Sequence, residues 1–295
     1  MKHAQLLIAS FLIGSSAPAG AQTSQREGIM WVSSDFRPYT IAEGPDKGQG
    51  IIDKAIAILV KRLPGVDYEY TSAANLRIFE LMKARPGVCA GFLLKTTERE
   101  QFADFTSNAV LKVLPNGIIT TRDRYAALRP YLNESGELRL DAMLADGKHR
   151  LAIGKTRSFG PRMDSVLATP AFQNSVVRFE EASMSSRFMK LLTQKEQAEY
   201  DMVIGYPIEL KPSLTESRFN GKDFSFIPIA GEAALVSIPI SCSKSVFGKQ
   251  YTAAIDKILA EPGFQQEISQ LYRRWLDGET AVRYEKLLKQ ASAAR

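Results

Sequence analysis

The chain is poor in the residues that organise metal and redox chemistry. It contains two cysteines and two histidines, and beyond residue 21 the histidines reduce to His149, in a polar stretch. No Cys/His cluster with metal-ligand spacing can be drawn from so few, and one pair of cysteines is not a disulfide-rich scaffold. Long hydrophobic runs are also missing, since no segment reaches the roughly 18 uninterrupted apolar residues of a membrane-crossing helix. Runs of one charge sign are missing too. The formal net charge is +6, with lysines and arginines scattered among acids, which argues against a nucleic-acid partner and for small anionic ligands. There is no nucleophile-base pair and no cofactor-binding loop, so neither catalysis nor a cofactor is expected.

What is present begins with an export signal. Met1 to Ala21 has a basic start at Lys2, an apolar run from Leu6 to Ile13 and the small-residue end Ala19-Gly20-Ala21, which together read as a secretory signal peptide cleaved before Gln22. The apolar run is too short to span a bilayer and no cysteine follows it, so the expectation is a soluble periplasmic protein without a lipid anchor. An oxidising compartment allows Cys89 and Cys242 to pair; two buried thiols are the alternative. With 45% hydrophobic residues, the chain has room for two lobes or one large domain.

Along the chain the pattern alternates strand and helix. Gly28 to Val32 reads as a buried strand and Ser33 to Tyr39 as the loop at its carboxyl end, where ligands sit in open α/β sheets; Asp35, Phe36 and Tyr39 are therefore cleft candidates, although Tyr39 fits a core position better. Gly44 to Gly50 is a turn, and Ile51 to Leu63 has the apolar spacing of a helix with one buried face. Val66 to Tyr70 reads as a strand, Asn75 to Lys83 as a helix and Val88 to Leu94 as a third strand. Strand, helix, strand, helix, strand is the order of a parallel sheet with covering helices. Val110 to Thr121 is apolar and β-rich, suited to leaving this first unit. The grammar then restarts: helical and loop-like from Tyr125 to Asp146, a strand from Arg150 to Gly154, a helix after Pro161, a strand from Ser175 to Phe179, a helix from Ser185 to Thr193 and a strand from Tyr200 to Gly205. Phe224 to Ile229 and Ala233 to Ser241 are strand-like. Ser245 to Leu259 and Phe264 to Leu276 are helical, and a charged helical tail begins at Glu279.

The stretch that points to chemistry is Gly91 to Thr106. A strand end delivers Lys95, Thr96 and Thr97 to a short helix carrying Arg99. A guanidinium beside the free N–H groups of a helix start favours a carboxylate. The competing reading of Arg99 is a surface residue paired with Asp104 or Glu100. Lys155 to Pro161 forms a weaker second site of the same type, with Lys155 and Arg157 near a helix start. Lys95 fits a solvated loop, Asp201 a loop-orienting role, and Tyr206 either a cleft closure or packing beside Pro207.

These segments resemble the periplasmic solute-binding proteins of the amino-acid type, solute-binding protein family 3. The resemblance covers nearly the whole chain after the signal peptide. Phe36-Arg37-Pro38-Tyr39 stands for the family's aromatic-x-Pro-aromatic, and Gly48-Gln49-Gly50 leads into the first helix. Thr96-Thr97-Glu98-Arg99 with Phe105-Thr106 matches Thr-x-x-Arg followed by Phe-Ser or Phe-Thr, the most specific piece. The Gly154 loop, Tyr200 to Val203 and Gly263 to Trp275 follow in order.

The resemblance implies a two-lobed α/β fold of the periplasmic-binding-protein type II class, each lobe a mainly parallel sheet with flanking helices and a ligand cleft between them. Lobe one would comprise 26–121 plus 238–278 and lobe two 122–237, with 1–21 the signal peptide and 279–295 a helical tail. It also implies that Arg99 pairs with a ligand carboxylate, that Phe36 packs on the ligand, and that the loop holding Thr156, Arg157 and Ser158 closes over it. Lys95, Thr97, Phe92, Asp35 and Tyr206 complete the candidate set. Where amino-acid binders place an acid for the ligand ammonium, this chain has Tyr206, and Phe92 and Leu94 replace small hydroxyl residues. The expected ligand is therefore a small carboxylate or other anion, unless Glu209 or Asp35 supplies the negative charge. Cys89 and Cys242 would bridge, because the strand returning from lobe two, Leu235 to Ser241, runs antiparallel to the strand with Cys89. The implied protein is a monomer without a cofactor. It delivers its ligand to an ABC transporter permease or presents it to a membrane receptor. A small-acid dehydratase using Asp35 or Glu209 is the enzymatic alternative.

Overall fold

The computed structural model describes residues 28–63, 65–180, 199–210 and 221–293. The expected signal peptide and the helix expected over 185–193 lie outside these residues. No helix among the described residues is long and apolar enough to cross a membrane.

The alternation of the first segments builds a five-stranded sheet. β1 (Ile29–Ser33) is flanked in parallel by β2 (Tyr68–Ser72), at one edge, and β3 (Val88–Ala90), at the centre. β12 (Ser241–Ser243) then runs antiparallel between β3 and β4 (Ala103–Phe105). α1 (Ile51–Arg62) turns Ile51, Ile52, Ala55, Ile56 and Leu59 onto the core, and α2 (Asn75–Ala84) buries Ile78 and Met82 on the other side. Gly50 precedes α1 at a point where a Cβ would lie 2.4 Å from the Tyr39 carbonyl oxygen, a close approach that only glycine permits. In the first turn of α1, Asp53 accepts from the backbone N–H groups of Gly50 and Ile41 at 3.0 and 2.9 Å. A carboxylate there complements the helix dipole and pins the loop after β1.

The second sheet has the order β10 (Phe224–Pro228), β6 (Gly117–Thr121), β9 (Met202–Gly205), β7 (Leu151–Gly154), β8 (Val176–Phe179). β7 lies parallel to β8 and β9, while β6 runs antiparallel to β9 and β10. α3 (Arg122–Leu128), α4 (Leu140–Asp146) and α5 (Pro161–Ala168) supply Leu128, Leu140, Met143, Leu144, Met163 and Leu167 to its own core. The expected boundary at residue 121 thus falls at the end of a strand of this sheet. Each sheet mixes parallel pairs with antiparallel ones, because strands that cross between the two sheets enter against the local direction.

Between the sheets lies a ribbon of β5 (Leu111–Val113) and β11 (Val236–Ile238), paired antiparallel. The strand expected over Ala233 to Ser241 shortens to β11, which pairs with β5, and the chain enters β12, paired with β3 and β4, only at Ser241. Cys89 and Cys242 face each other in the β12–β3 register and are joined by a disulfide, the pairing that the resemblance implied. α6 (Val246–Leu259), α7 (Pro262–Arg273) and α8 (Gly278–Ala293) close the chain. Phe264 and Tyr272 of α7 are buried, and Trp275 is partly buried against the same core. The charged tail is docked, with Tyr284 in the core and its hydroxyl donating to the Lys112 carbonyl of β5 at 2.7 Å.

Candidate functional site

The carboxyl ends of β1 and β3, the start of α2, and the loops after β7 and β9 converge on a cleft of about 450 Å³. Its walls include Ser34, Asp35, Phe36, Phe92, Leu94, Arg99, Gly154, Arg157, Ser158 and Tyr206. Strand ends collect ligand sites because the chain leaves the sheet there and exposes loop groups without weakening the core.

Arg99 is a buried charged residue of the cleft lining. It begins a three-residue 3-10 turn, Arg99–Gln101, shorter than the helix that the sequence predicted. The Thr96 hydroxyl accepts from the Arg99 N–H at 3.2 Å, so Thr96 orders this turn, and Thr97 faces solvent. The guanidinium is 7% exposed and stands over the Phe79 ring at 5.1 Å. Its Nη1 donates to the Leu94 carbonyl at 2.8 Å and its Nη2 to the Thr156 carbonyl at 3.1 Å. It makes no ion pair with a carboxylate among the described residues. Burial lowers its pKa, with Asp164 and Glu98 acting in the opposite direction from a distance. The competing surface reading of Arg99 fails on geometry: Glu100 pairs with Lys95 at 2.8 Å, which also takes Lys95 out to solvent and away from the cleft lining.

Tyr206 follows β9 and is 2% exposed. Its ring packs on Tyr39, Phe92 and Phe36 at 5.4, 6.0 and 6.2 Å, and burial raises its hydroxyl pKa. The position where an acid would meet a ligand ammonium is thus part of an aromatic floor spanning both sheets. Tyr39 is core, as its apolar surroundings favoured.

Arg157 occupies the aromatic floor. Its guanidinium carbon lies 4.9 Å from the Phe36 ring centre, 5.1 Å from Phe159 and 5.4 Å from Tyr206. Its Nη2 donates to Asn116 Oδ1 at 2.9 Å and to Glu209 Oε1 at 3.2 Å. Glu209, 3% exposed, also accepts from the Tyr206 N–H at 2.8 Å.

Neither acid considered for a ligand amine is uncommitted. Glu209 is held as just described. Asp35 accepts from the Ala42 N–H at 2.8 Å and pairs with Arg37 at 3.4 Å. Ser158 lines the cleft and donates to Asp164, whereas Thr156 contributes its backbone carbonyl. Asp201 accepts from the Arg150 N–H at 2.8 Å, the orienting role expected of it.

Sequence reading missed Asn116, Phe159 and Asn75. Asn75 starts α2 beyond the end of β2 and lines the cleft; the strand-end rule that selected Asp35 would have found it. Asn116 and Phe159 meet Arg157 only through tertiary folding and carry no local signal.

No family model matches the chain, and no curated protein does. Solved structures do. A putative L-cystine ABC transporter protein from Listeria monocytogenes is 15% identical with a TM-score of 0.62, covering 86% of this chain and 97% of its own. An arginine transport-system periplasmic binding protein from Legionella pneumophila is 16% identical with a TM-score of 0.57, covering 85% and 100%. The periplasmic VFT2 domain of Bordetella pertussis BvgS is 14% identical with a TM-score of 0.59, covering 85% and 94%. The fold is that of a two-lobed periplasmic binding protein. At these identities the likeness speaks for architecture. Within that architecture the two sheets are the lobes, and Arg99 to Thr156 is a hydrogen bond across the cleft.

Proposed function

We propose that the protein is a periplasmic solute-binding protein that clamps a small carboxylate between its lobes for an ABC-type importer. One observation supports the reading: the buried guanidinium of Arg99 lines the cleft with two carbonyl partners and, among the described residues, no carboxylate. A buried cation without an anion is costly, and a ligand carboxylate would relieve that cost while gaining a bidentate pair. Closure would turn on the β5–β11 ribbon, which lies between the sheets. The basic, apolar and small-residue order of Met1 to Ala21 supports export to the periplasm, with the mature chain starting at Gln22.

A sensing role uses the same cleft, and the likeness to BvgS and to a histidine kinase sensor domain favours it as the second reading. A pull-down of the ligand-loaded protein from membranes separates them: an importer permease supports transport, a receptor supports sensing. The dehydratase alternative loses its acid/base groups, since Asp35 and Glu209 are both tied to arginines and backbone N–H groups.

The test is a thermal-shift screen of the mature protein against small carboxylates, amino acids and inorganic anions, repeated with Arg99→Ala. A carboxylate at 100 times its dissociation constant adds about 2.7 kcal/mol to wild type. The Arg99→Ala variant should show none of that gain. Equal affinity in the two proteins would place the ligand elsewhere.

A further inference from the structure

We infer that Arg157 is a built-in stand-in for a ligand cation, and that it restricts the cleft to carboxylates lacking a positively charged group. The inference rests on the cleft being a ligand site and specifies which ligands that site excludes.

The surroundings of Arg157 have the composition of an organic-cation site. Aromatic faces attract a guanidinium through their quadrupole, most strongly where water is displaced. Phe36, Phe159 and Tyr206 provide faces on three sides at 4.9 to 5.4 Å. A buried carboxylate, Glu209, and an amide oxygen, Asn116, take the N–H groups. A ligand carrying an ammonium or guanidinium would need such a box, and here a side chain of the closing loop already fills it. The Arg157 side chain is 16% exposed and that of Glu209 2%, so the pair is sealed against solvent competition. Asp35, the other acid considered for that role, is bound to Arg37 and Ala42. A cationic ligand group would have to displace Arg157 from three rings and a buried ion pair. The other charged residues of the cleft lining are Arg99, Asp35 and Glu43, and Glu43 is exposed. Arg157 also spans the lobes, because Phe36 follows β1 in the first sheet while Phe159 and Tyr206 follow β7 and β9 in the second. The stand-in therefore helps hold the lobes together in the way a ligand side chain would.

The experiment empties the box. Arg157→Ala removes the guanidinium that lies against the three rings and pairs with Glu209. Methylguanidinium chloride, titrated in the millimolar range against sodium chloride at equal ionic strength as salt control, should raise the melting temperature of Arg157→Ala saturably and leave wild type unmoved. L-Arginine should stabilise Arg157→Ala and not wild type. Arg157→Met, which refills the box with an apolar chain, should respond to neither probe. A folded Arg157→Ala that ignores methylguanidinium, or a wild type that L-arginine stabilises as well as simple carboxylates do, would overturn the inference.

If Arg157→Ala does not fold, the Arg157 Nε–H resonance of wild type, assigned by its loss in Arg157→Lys, decides. A ring-current-shifted, slowly exchanging signal supports the box, and a random-coil position sinks it. Rescue by methylguanidinium needs no carboxylate at Arg99. A wild type that binds no anion would thus defeat the proposed function while leaving this result interpretable.

Discussion

At the scale of single residues, Arg99 and Arg157 show how burial separates two arginines of one cleft. Arg157 has a carboxylate partner, three rings and an amide, so its charge is compensated within the protein. Arg99 has two carbonyls and one ring. Replacing Arg99 by Met removes a poorly compensated buried charge and leaves two carbonyls to water or to backbone relaxation, terms of opposite sign and similar size. Urea unfolding of ligand-free Arg99→Met should therefore lie within about 1 kcal/mol of wild type, with the ligand-induced shift gone. A loss of more than about 3 kcal/mol would instead mark Arg99 as a structural charge. Arg99 was legible because Thr96, Arg99, Phe105 and Thr106 stand in one short stretch. Lys95 and Thr97 were read into the same wall, yet both are exposed in the loop that precedes the Arg99–Gln101 turn, where Lys95 pairs with Glu100.

At the scale of elements, two connections hold the returning chain in place. The Cys89–Cys242 disulfide ties β12 to β3 across a sequence separation of 153 residues. Replacing both cysteines by serine should cost about 2–5 kcal/mol in denaturant unfolding. Two alkylatable thiols in the unreduced, denatured protein would contradict the bridge. The second connection is α8. Tyr284 donates to Lys112 in β5, the Leu114 N–H donates to Tyr272 of α7 at 3.2 Å, and Gln265 of α7 donates to the Ala109 carbonyl at 2.6 Å. Three side chains of the terminal helices thus bind the segment that links the lobes. Tyr284→Phe removes one neutral hydrogen bond and should lower stability by about 1 kcal/mol, with faster amide exchange in β5 and β11. Unchanged exchange there would show that α8 does not brace the ribbon.

At the scale of the whole molecule, the lobes meet, among the described residues, through the Arg99 to Thr156 hydrogen bond, the stacking of Arg157 on Phe36, and the burial of Tyr206 and Ile208 in the first-lobe core. A ligand that bridges the lobes shifts the population toward the closed form. Hydrogen exchange should therefore slow together at residues 94–99 and 154–160 when a carboxylate binds, with the centres of the two sheets unchanged. Protection on one wall alone would argue for a ligand seated on one lobe.

The sequence by itself determined the order of most strands and helices, the core position of Tyr39, and Arg99 as a residue of the cleft wall, because these follow from local periodicity and from groups close together in the chain. Only tertiary structure decided the rest. The caging of Arg157 joins residues 36, 116, 157, 159, 206 and 209. The docking of α8 on β5 joins residues 112 and 284. The separation of β11 from β12 depends on which strand each can pair with, β5 for the first and β3 and β4 for the second. Each of these is set by burial and partner choice across the fold, which no stretch of the chain encodes alone.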